Sequence, residues 1–537
     1  MPGFFNLPKI FIMKTLLFVT TLFIGLVASA QMDDPARFAS TISELSLRKH
    51  LTVIAGEDMQ GRETGTEGER KAAIYIESQF KAMGLTTAPG LNGYQQYFPL
   101  HKDSLEESEL EIADIDGVYG TDFITPASTN ETAKFKGKSI VFVGYGIDDN
   151  LYTDYTSLDV KDKVVVFFLG EPKADGKYII SGATRGSAWS SQGLSKKLAL
   201  AAQKGAAGVL LINPTSATFN KRTIDNSRKT NNYYPSSDTS KKLNYAIISH
   251  DFAKKIFGET LDSLVSIAKS SRTFGKEYAF EKDIKSDLKI KKGRSVINSS
   301  NVVGVIEGTD KKDEYVFLTA HYDHLGVRDG KIFYGADDDG SGTVAVIDMA
   351  NAFMRAKAEG KGPRRTIIFM AFSGEEKGLL GSQYYSEHPF YPLDKTSVDL
   401  NTDMIGRIDS QRKTGDTMNY VYVIGHDKLS SDLPIINESV NNKYTNLAFD
   451  YKFDDPNDPN RIYFRSDHYN FARKGVPILF FYDGMLQGDY HKTSDTIDKI
   501  VWPLYEKRAR MIFHTAWEMA NRNDMLKRDT PLNMGTR

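Results

Sequence analysis

From Asn301 onward, five short segments are apolar from end to end instead of alternating: Val302–Ile306, Tyr315–Ala320, Thr366–Phe372, Ser397–Thr402 and Val476–Phe481. A strand with one wet face alternates in polarity, whereas one covered on both faces does not. Helical patterns lie between these strands, as in Thr343–Lys357, where Val344, Ile347, Ala350 and Met354 share a face. Strand and helix in turn predict a three-layer α/β domain. Upstream, Pro35–Ile54 and Glu69–Met83 read as amphipathic helices, the second ending at Gly84. From about 110 to 290 the texture differs. The strands Ser139–Val143, Lys163–Phe168 and Gly208–Ile212 are set among polar loops, the helix Leu198–Lys204 stops at Gly205, and Thr215–Lys242 reads as a long exposed loop. The tail after Asn521 is polar and is expected to fray.

The 537 residues contain no cysteine, which excludes disulfides, thiolate zinc sites, iron–sulfur clusters and cysteine nucleophiles. Any metal must be held by Asp, Glu and the ten His. With 68 basic against 69 acidic residues there is no global field to hold nucleic acid or an anionic membrane, so no nucleic-acid partner is expected. Met13-Lys14, the apolar run Leu16–Val27 and the small-x-small pattern Ala28-Ser29-Ala30 read as a secretory signal cleaved after Ala30. That run falls short of the roughly 20 residues a spanning helix needs. The mature chain is therefore expected to be secreted or periplasmic, without stable membrane insertion.

Chemistry-bearing residues collect where the predicted strands end. Tyr315–Ala320 runs into His321-Tyr322-Asp323-His324. The stretch Gly335-Ala336-Asp337-Asp338-Asp339-Gly340-Ser341-Gly342 directly precedes a helix. Thr366–Phe372 runs into Ser373-Gly374-Glu375-Glu376, Ser397–Thr402 into Asp403, and a short loop after Phe481 leads to Tyr490-His491. In an open α/β sheet that edge is where ligands bind. Imidazole mixed with carboxylate, without sulfur, suits Zn²⁺, Mn²⁺ or Co²⁺. Of two adjacent glutamates in a turn, one can bind metal while the other faces substrate. The Asp triplet does not continue as a calcium-binding loop, because Thr343 to Ile347 go on as apolar helix. Neither H-E-x-x-H nor G-x-S-x-G occurs.

Together these motifs resemble the co-catalytic di-zinc exopeptidases, which include bacterial leucine-type aminopeptidases and relatives of glutamate carboxypeptidase and the transferrin receptor. The Gly61-Arg62-Glu63 loop and the Ala73–Leu85 helix resemble that family's N-terminal region. Phe142-Val143-Gly144-Tyr145-Gly146-Ile147 and Lys204-Gly205-Ala206-Ala207-Gly208 resemble its inserted protease-associated domain. The resemblance implies a three-layer zinc-exopeptidase catalytic domain with a mixed central sheet, plus an inserted β-rich α/β protease-associated domain. Along the chain it implies a signal peptide at 1–30, catalytic segments at 31–110 and 291–520, the insert at 111–290 and a polar tail at 521–537.

The resemblance also implies two Zn²⁺ per chain. His321 and Asp403 would serve one zinc, Glu376 and His491 the other, and Asp338 would bridge both and precede a cis peptide. Glu375 would be the general base and Tyr490 an oxyanion donor. Asp323 and Asp339 would lie behind the ligands, with the Asp323 carboxylate orienting the His321 ring. Arg465, Ser466, Asp467 and His468 would belong to the substrate pocket. The implied activity is aminopeptidase action on peptides with a free N-terminus, by a monomer or homodimer. Carboxypeptidase or dipeptidase action, or a non-catalytic binding protein of the same fold, are the alternatives.

Overall fold

The computed structural model describes residue 3 and residues 35–534, except 157, 192, 214–217, 235–242 and 270–279. The signal segment thus lies outside the described residues. Among the described residues no helix is long and apolar enough to cross a membrane. The chain divides into two compact units, one made of 1–98 with 298–537 and the other of 99–297.

The first unit is built on a mixed sheet. The main strands are β1 (Gln95–Ile112), β2 (Ser286–Ile306), β3 (Lys311–His321), β4 (Arg365–Phe372), β5 (Thr396–Thr402), β6 (Tyr420–Ile424), β7 (Ala448–Asp450) and β8 (Ile478–Tyr482), in the order β1-β2-β4-β3-β5-β8-β6-β7, of which β1 beyond residue 98 and β2 before residue 298 fall in the second unit. The four central strands β4, β3, β5 and β8 run parallel, β2 runs antiparallel to β4 and β6 antiparallel to β8, and β7 runs parallel to β6. Every residue of β4, β5, β6 and β8 is buried.

The period of two along each strand divides this apolar content between two cores. Val316, Leu318 and Ala320 of β3 and Ile367, Phe369 and Ala371 of β4 face helices α1 (Glu44–Ile54), α2 (Glu67–Met83), α3 (Gly340–Ala358) and α4 (Trp502–Asn521). Tyr315, Phe317, Ile368, Met370 and Phe372 face the other way, onto Tyr385 and Phe471. Burial of a Leu, Ile or Phe side chain contributes about 1.5–3 kcal/mol, so a sheet covered on both faces holds its strand ends rigidly. α3 is buried far beyond one face, from Gly340 through Ala350 without a break. Gly, Ser and Ala in its first turns let strands and helices approach from several sides.

The second unit has its own six-stranded sheet, in the order Phe280–Lys282, Ile140–Phe142, Val164–Phe168, Gly208–Ile212, Tyr245–Ile248, Phe123–Ile124. Its four central strands are parallel and its two edge strands antiparallel. Val164, Val166 and Leu210 pack on one face, Val165, Phe167 and Leu211 on the other.

Three local expectations are corrected. The stretch 35–54 is two helices, Ala36–Ala39 and α1, because Ser43 adopts an extended backbone and caps α1 through the amide of Ser46. Within 215–242 a helix forms at Lys221–Ser227, started by the Asn220 side chain accepting from Thr223 N. The tail packs rather than frays. Leu526 is buried, its amide donates to Ser397 Oγ, and Arg528 donates to the carbonyls of Leu393 and Thr396 at 2.6 and 2.7 Å.

One buried carboxyl between α1 and α3 generates a pH dependence. Asp348 accepts from Ser46 Oγ at 2.7 Å, lies 3.7 Å from His50 Nε2, and leaves Oδ2 unpartnered. Burial, opposed by the Ser46 hydrogen bond, raises its pKa from 3.8 to about 7. The proton is bound more tightly in the folded state, so this contribution is fully present below about pH 4 and is lost as pH rises through about 7. Asp348→Asn is therefore expected to gain stability relative to the wild type between pH 4 and 7, read from urea midpoints at each pH. A difference that stays constant across that window would refute the assignment.

Candidate metal centre

The carboxyl ends of the parallel strands deliver the site. His321 is the last residue of β3, Glu375 and Glu376 follow β4 in a 3₁₀ turn, and Asp403 follows β5. His491, at positive φ, lies in the loop beyond β8. Asp338 comes from the loop entering α3, and its peptide to Asp339 is cis. The Asp triplet divides its work. Asp339 caps α3, taking Gly342 N and Met404 N on Oδ1 and His321 N on Oδ2. Asp337 takes Gly406 N and Ser341 Oγ on Oδ1. Asp338 is left to face the cavity, while Asp495 receives its backbone amide. Gly342 is required here, since a Cβ would lie 2.3 Å from Thr402 O.

Asp338 presents its two oxygens to two separate groups of donors. His321 Nε2 lies 3.4 Å from Asp338 Oδ1, 3.5 Å from Asp403 Oδ1 and 3.9 Å from Glu375 Oε2. On the other side His491 Nε2 lies 3.2 Å from both Asp338 Oδ2 and Glu376 Oε2. Zinc with ligands at about 2.0–2.1 Å in a tetrahedron sets those ligands about 3.3 Å apart. The buried atoms His321 Nε2, Asp338 Oδ2 and Glu376 Oε1 have no hydrogen-bond partner. Unpaired buried polar atoms are costly, and convergent lone pairs at ligand spacing fit divalent cations of the zinc type.

The electrostatics agree. Burial, aided by the Glu376 and Asp403 charges and opposed by His321, holds Glu375 well above the carboxylate range. Burial acts the same way on Asp338, but His324, His321 and His491 outweigh it and pull it well below. Burial would lower His491, yet Asp338 and Glu376 raise it to about 10. The cavity is lined by His321, Asp338, Glu375 and Asp403, with apolar walls from Met404, Ile462, Phe480, Tyr482 and Leu486. Arg465 and Tyr490 complete the lining, and Arg465 Nη2 donates to Tyr490 Oη at 2.8 Å.

Other expected residues lie differently. Ser466, Asp467 and His468 are buried behind the cavity rather than lining it. Ser466 accepts from Asn401, and His468 Nε2 lies 2.8 Å from Tyr463 O. The His321 ring is met at Nδ1 by the backbone carbonyl of Asp323 at 3.0 Å, with that residue's carboxylate 3.7 Å away. The carboxylate instead accepts from Thr64 Oγ1 and Glu375 N. A further grouping, His426, Asp427 and Asp454, is already satisfied, since Asp454 takes His426 Nδ1, Gly425 N and the Lys428 ammonium.

The sequence reading missed Arg62, Glu69 and His324. Arg62, fully buried, donates to the carbonyls of Ile54, Tyr322, Tyr334 and Gly335, tying α1 to two site loops. Glu69 accepts from Ser299, Ser373 and Gly65 N. Both belong to a polar loop and helix start whose pattern carries no sign of this. His324 carried a signal, as a second histidine three residues after His321.

Residues 301–516 match the sequence model of Peptidase family M28. Leucine aminopeptidase 1 of Uncinocarpus reesii is 28% identical over 244 residues, covering 44% of this chain and 58% of that protein. Leucine aminopeptidase 1 of Coccidioides posadasii is 29% identical over 230 residues, covering 41% and 55%. The chain thus spans about half the length of the curated relatives it matches. Among solved structures, the aminopeptidase from Aneurinibacillus sp. strain AM-1 superposes with a TM-score of 0.51 at 18% identity, over 94% of this chain and all of that one, a likeness of fold.

Three backbone donors depend on Asp339. Asp339→Ala leaves them buried and unpaired, at about 1–3 kcal/mol each. A loss above about 3 kcal/mol in urea unfolding is expected, and a loss below 1 kcal/mol would refute this role.

Proposed function

We propose that this chain, a member of peptidase family M28 through residues 301–516, is an exported zinc aminopeptidase holding two cations. His321, Asp338 and Asp403 would hold one, and Asp338, Glu376 and His491 the other. The observation that carries this reading is Asp338, whose two oxygens face two separate donor groups. Zinc bound there supplies Lewis-acid polarisation of a peptide carbonyl and makes water more acidic.

The protein's own groups account for the rest. Glu375 lines the cavity, its Oε2 3.9 Å from His321 Nε2, and is so placed to take a proton from the attacking water and pass it to the leaving amine. Tyr490, steadied by Arg465, donates to the oxyanion that develops on the carbonyl. The acidic face of Glu375 and Asp403 attracts a substrate α-ammonium, a charge present only at a free N-terminus. The apolar walls at Ile462, Phe480 and Leu486 suit an apolar first side chain, in keeping with relatives named leucine aminopeptidases. The signal segment ending at Ala30 supports export, and the sheet within 111–290 supports a protease-associated insert.

Arg465 favours a second reading, because a guanidinium lining the cavity would also pair with a substrate carboxylate, as a carboxypeptidase or dipeptidase requires. A panel of amino-acid anilides and N-blocked peptides, run with and without chelator, separates the two. Chelator-sensitive cleavage of anilides alone is expected, and cleavage of blocked peptides alone would overturn the aminopeptidase reading.

Glu375→Ala is expected to keep both metals by elemental analysis while losing about 10²–10⁴-fold in kcat. Near wild-type turnover would remove Glu375 from the base role.

A further inference from the structure

His324 is fully buried, and neither of its ring nitrogens has a hydrogen-bond partner. Its Nδ1 lies 2.9 Å from Glu376 Oε1 and 3.8 Å from Asp338 Oδ2, and its ring meets that of His491 edge-on at 5.9 Å. Glu376 Oε1 and Asp338 Oδ2 also lack partners. The 2.9 Å approach is therefore close in distance but not aligned as a hydrogen bond. Three unpaired donor atoms converging on one point is the arrangement of ligands around a cation.

The ring is held in this pose. The backbone amide of His324 donates to Arg62 O at 3.1 Å. Gly335, at φ +55°, lies so close that a Cβ there would stand 2.6 Å from His324 Cγ and Cδ2. The Gly335 loop therefore packs directly against the ring edge that faces away from Nδ1.

We propose that His324 is a further ligand, through Nδ1, of the cation held by Asp338, Glu376 and His491. The inference rests on the reading of those three residues as cation ligands. It makes the two positions unequal. One gathers four protein donors, while the other has His321, Asp338 and Asp403 and opens onto the cavity. His491, the most accessible of the four donors with its side chain 37% exposed, is then not the only nitrogen at its position. The four-donor position fills first and empties last.

Cobalt loading tests this directly. A histidine bound to Co²⁺ through one nitrogen carries its proton on the other, giving one strongly shifted, solvent-exchangeable N–H resonance. The wild type loaded with two Co²⁺ is expected to show three such resonances, from His321, His491 and His324, and His324→Ala two. Two in the wild type would overturn the proposal without recourse to any variant. In competition with a chelator, His324→Ala should release one zinc at least about 10-fold more readily, with the other unchanged. Unchanged release of both would also overturn it. Asp338→Asn separates the underlying reading: if it binds two Co²⁺ as tightly as the wild type, the paired-cation centre itself fails.

Discussion

Asp338, Asp403, Glu375 and Glu376 are gathered out of water at one edge of the sheet, facing histidines that only partly offset them. Negative charges at such spacing repel strongly where the local dielectric is low. Everything around them serves to hold that concentration of charge in place: a sheet buried on both faces, a helix entered through a capping aspartate, and a guanidinium spent wholly on carbonyls. Divalent cations held there, as proposed, would relieve the repulsion and satisfy the unpaired atoms together.

The supports are mostly backbone contacts. Asp339 joins the starts of α3, the β3 exit and the β5 exit through three amides. Arg62 joins the end of α1 to the same β3 exit and to the loop before Asp338. Glu69 holds Ser373, just before the glutamate pair. Two of these three supports come from the N-terminal segment, well before residue 301 where the family match begins. The proposed ligands lie in the matched region, and part of what fixes them does not.

Much of this was legible in the residues. Unbroken apolar runs such as Ile367–Phe372 showed strands covered on both sides, and the polar residues that end each run showed where a site would form. Charge and spacing do not say which aspartate of a triplet faces inward, because that depends on which amides the neighbouring exits bring within reach. The roles of Arg62 and Glu69 are equally hidden, since their partners lie more than 200 residues away for Tyr322 and Ser373. The Asp323 carboxylate was expected on the His321 ring and is found on Thr64 and Glu375 N, because the turn after β3 brings a carbonyl to the ring first. The tail was misread for the opposite reason. Its polarity suggested solvent, but its arginine and amide groups find carbonyl and hydroxyl partners on the unit it closes.

The reach of Arg62 also bears on when the centre comes into being. Residues 62 and 64 stand more than 400 positions before Asp495, which steadies the Asp338 loop. As the polypeptide emerges from the ribosome, residue 495 must be out before those pieces can meet. A chain cut short of Asp495 would hold fragments of the edge but not the edge itself, so the centre would come into being only after the last of its pieces is made.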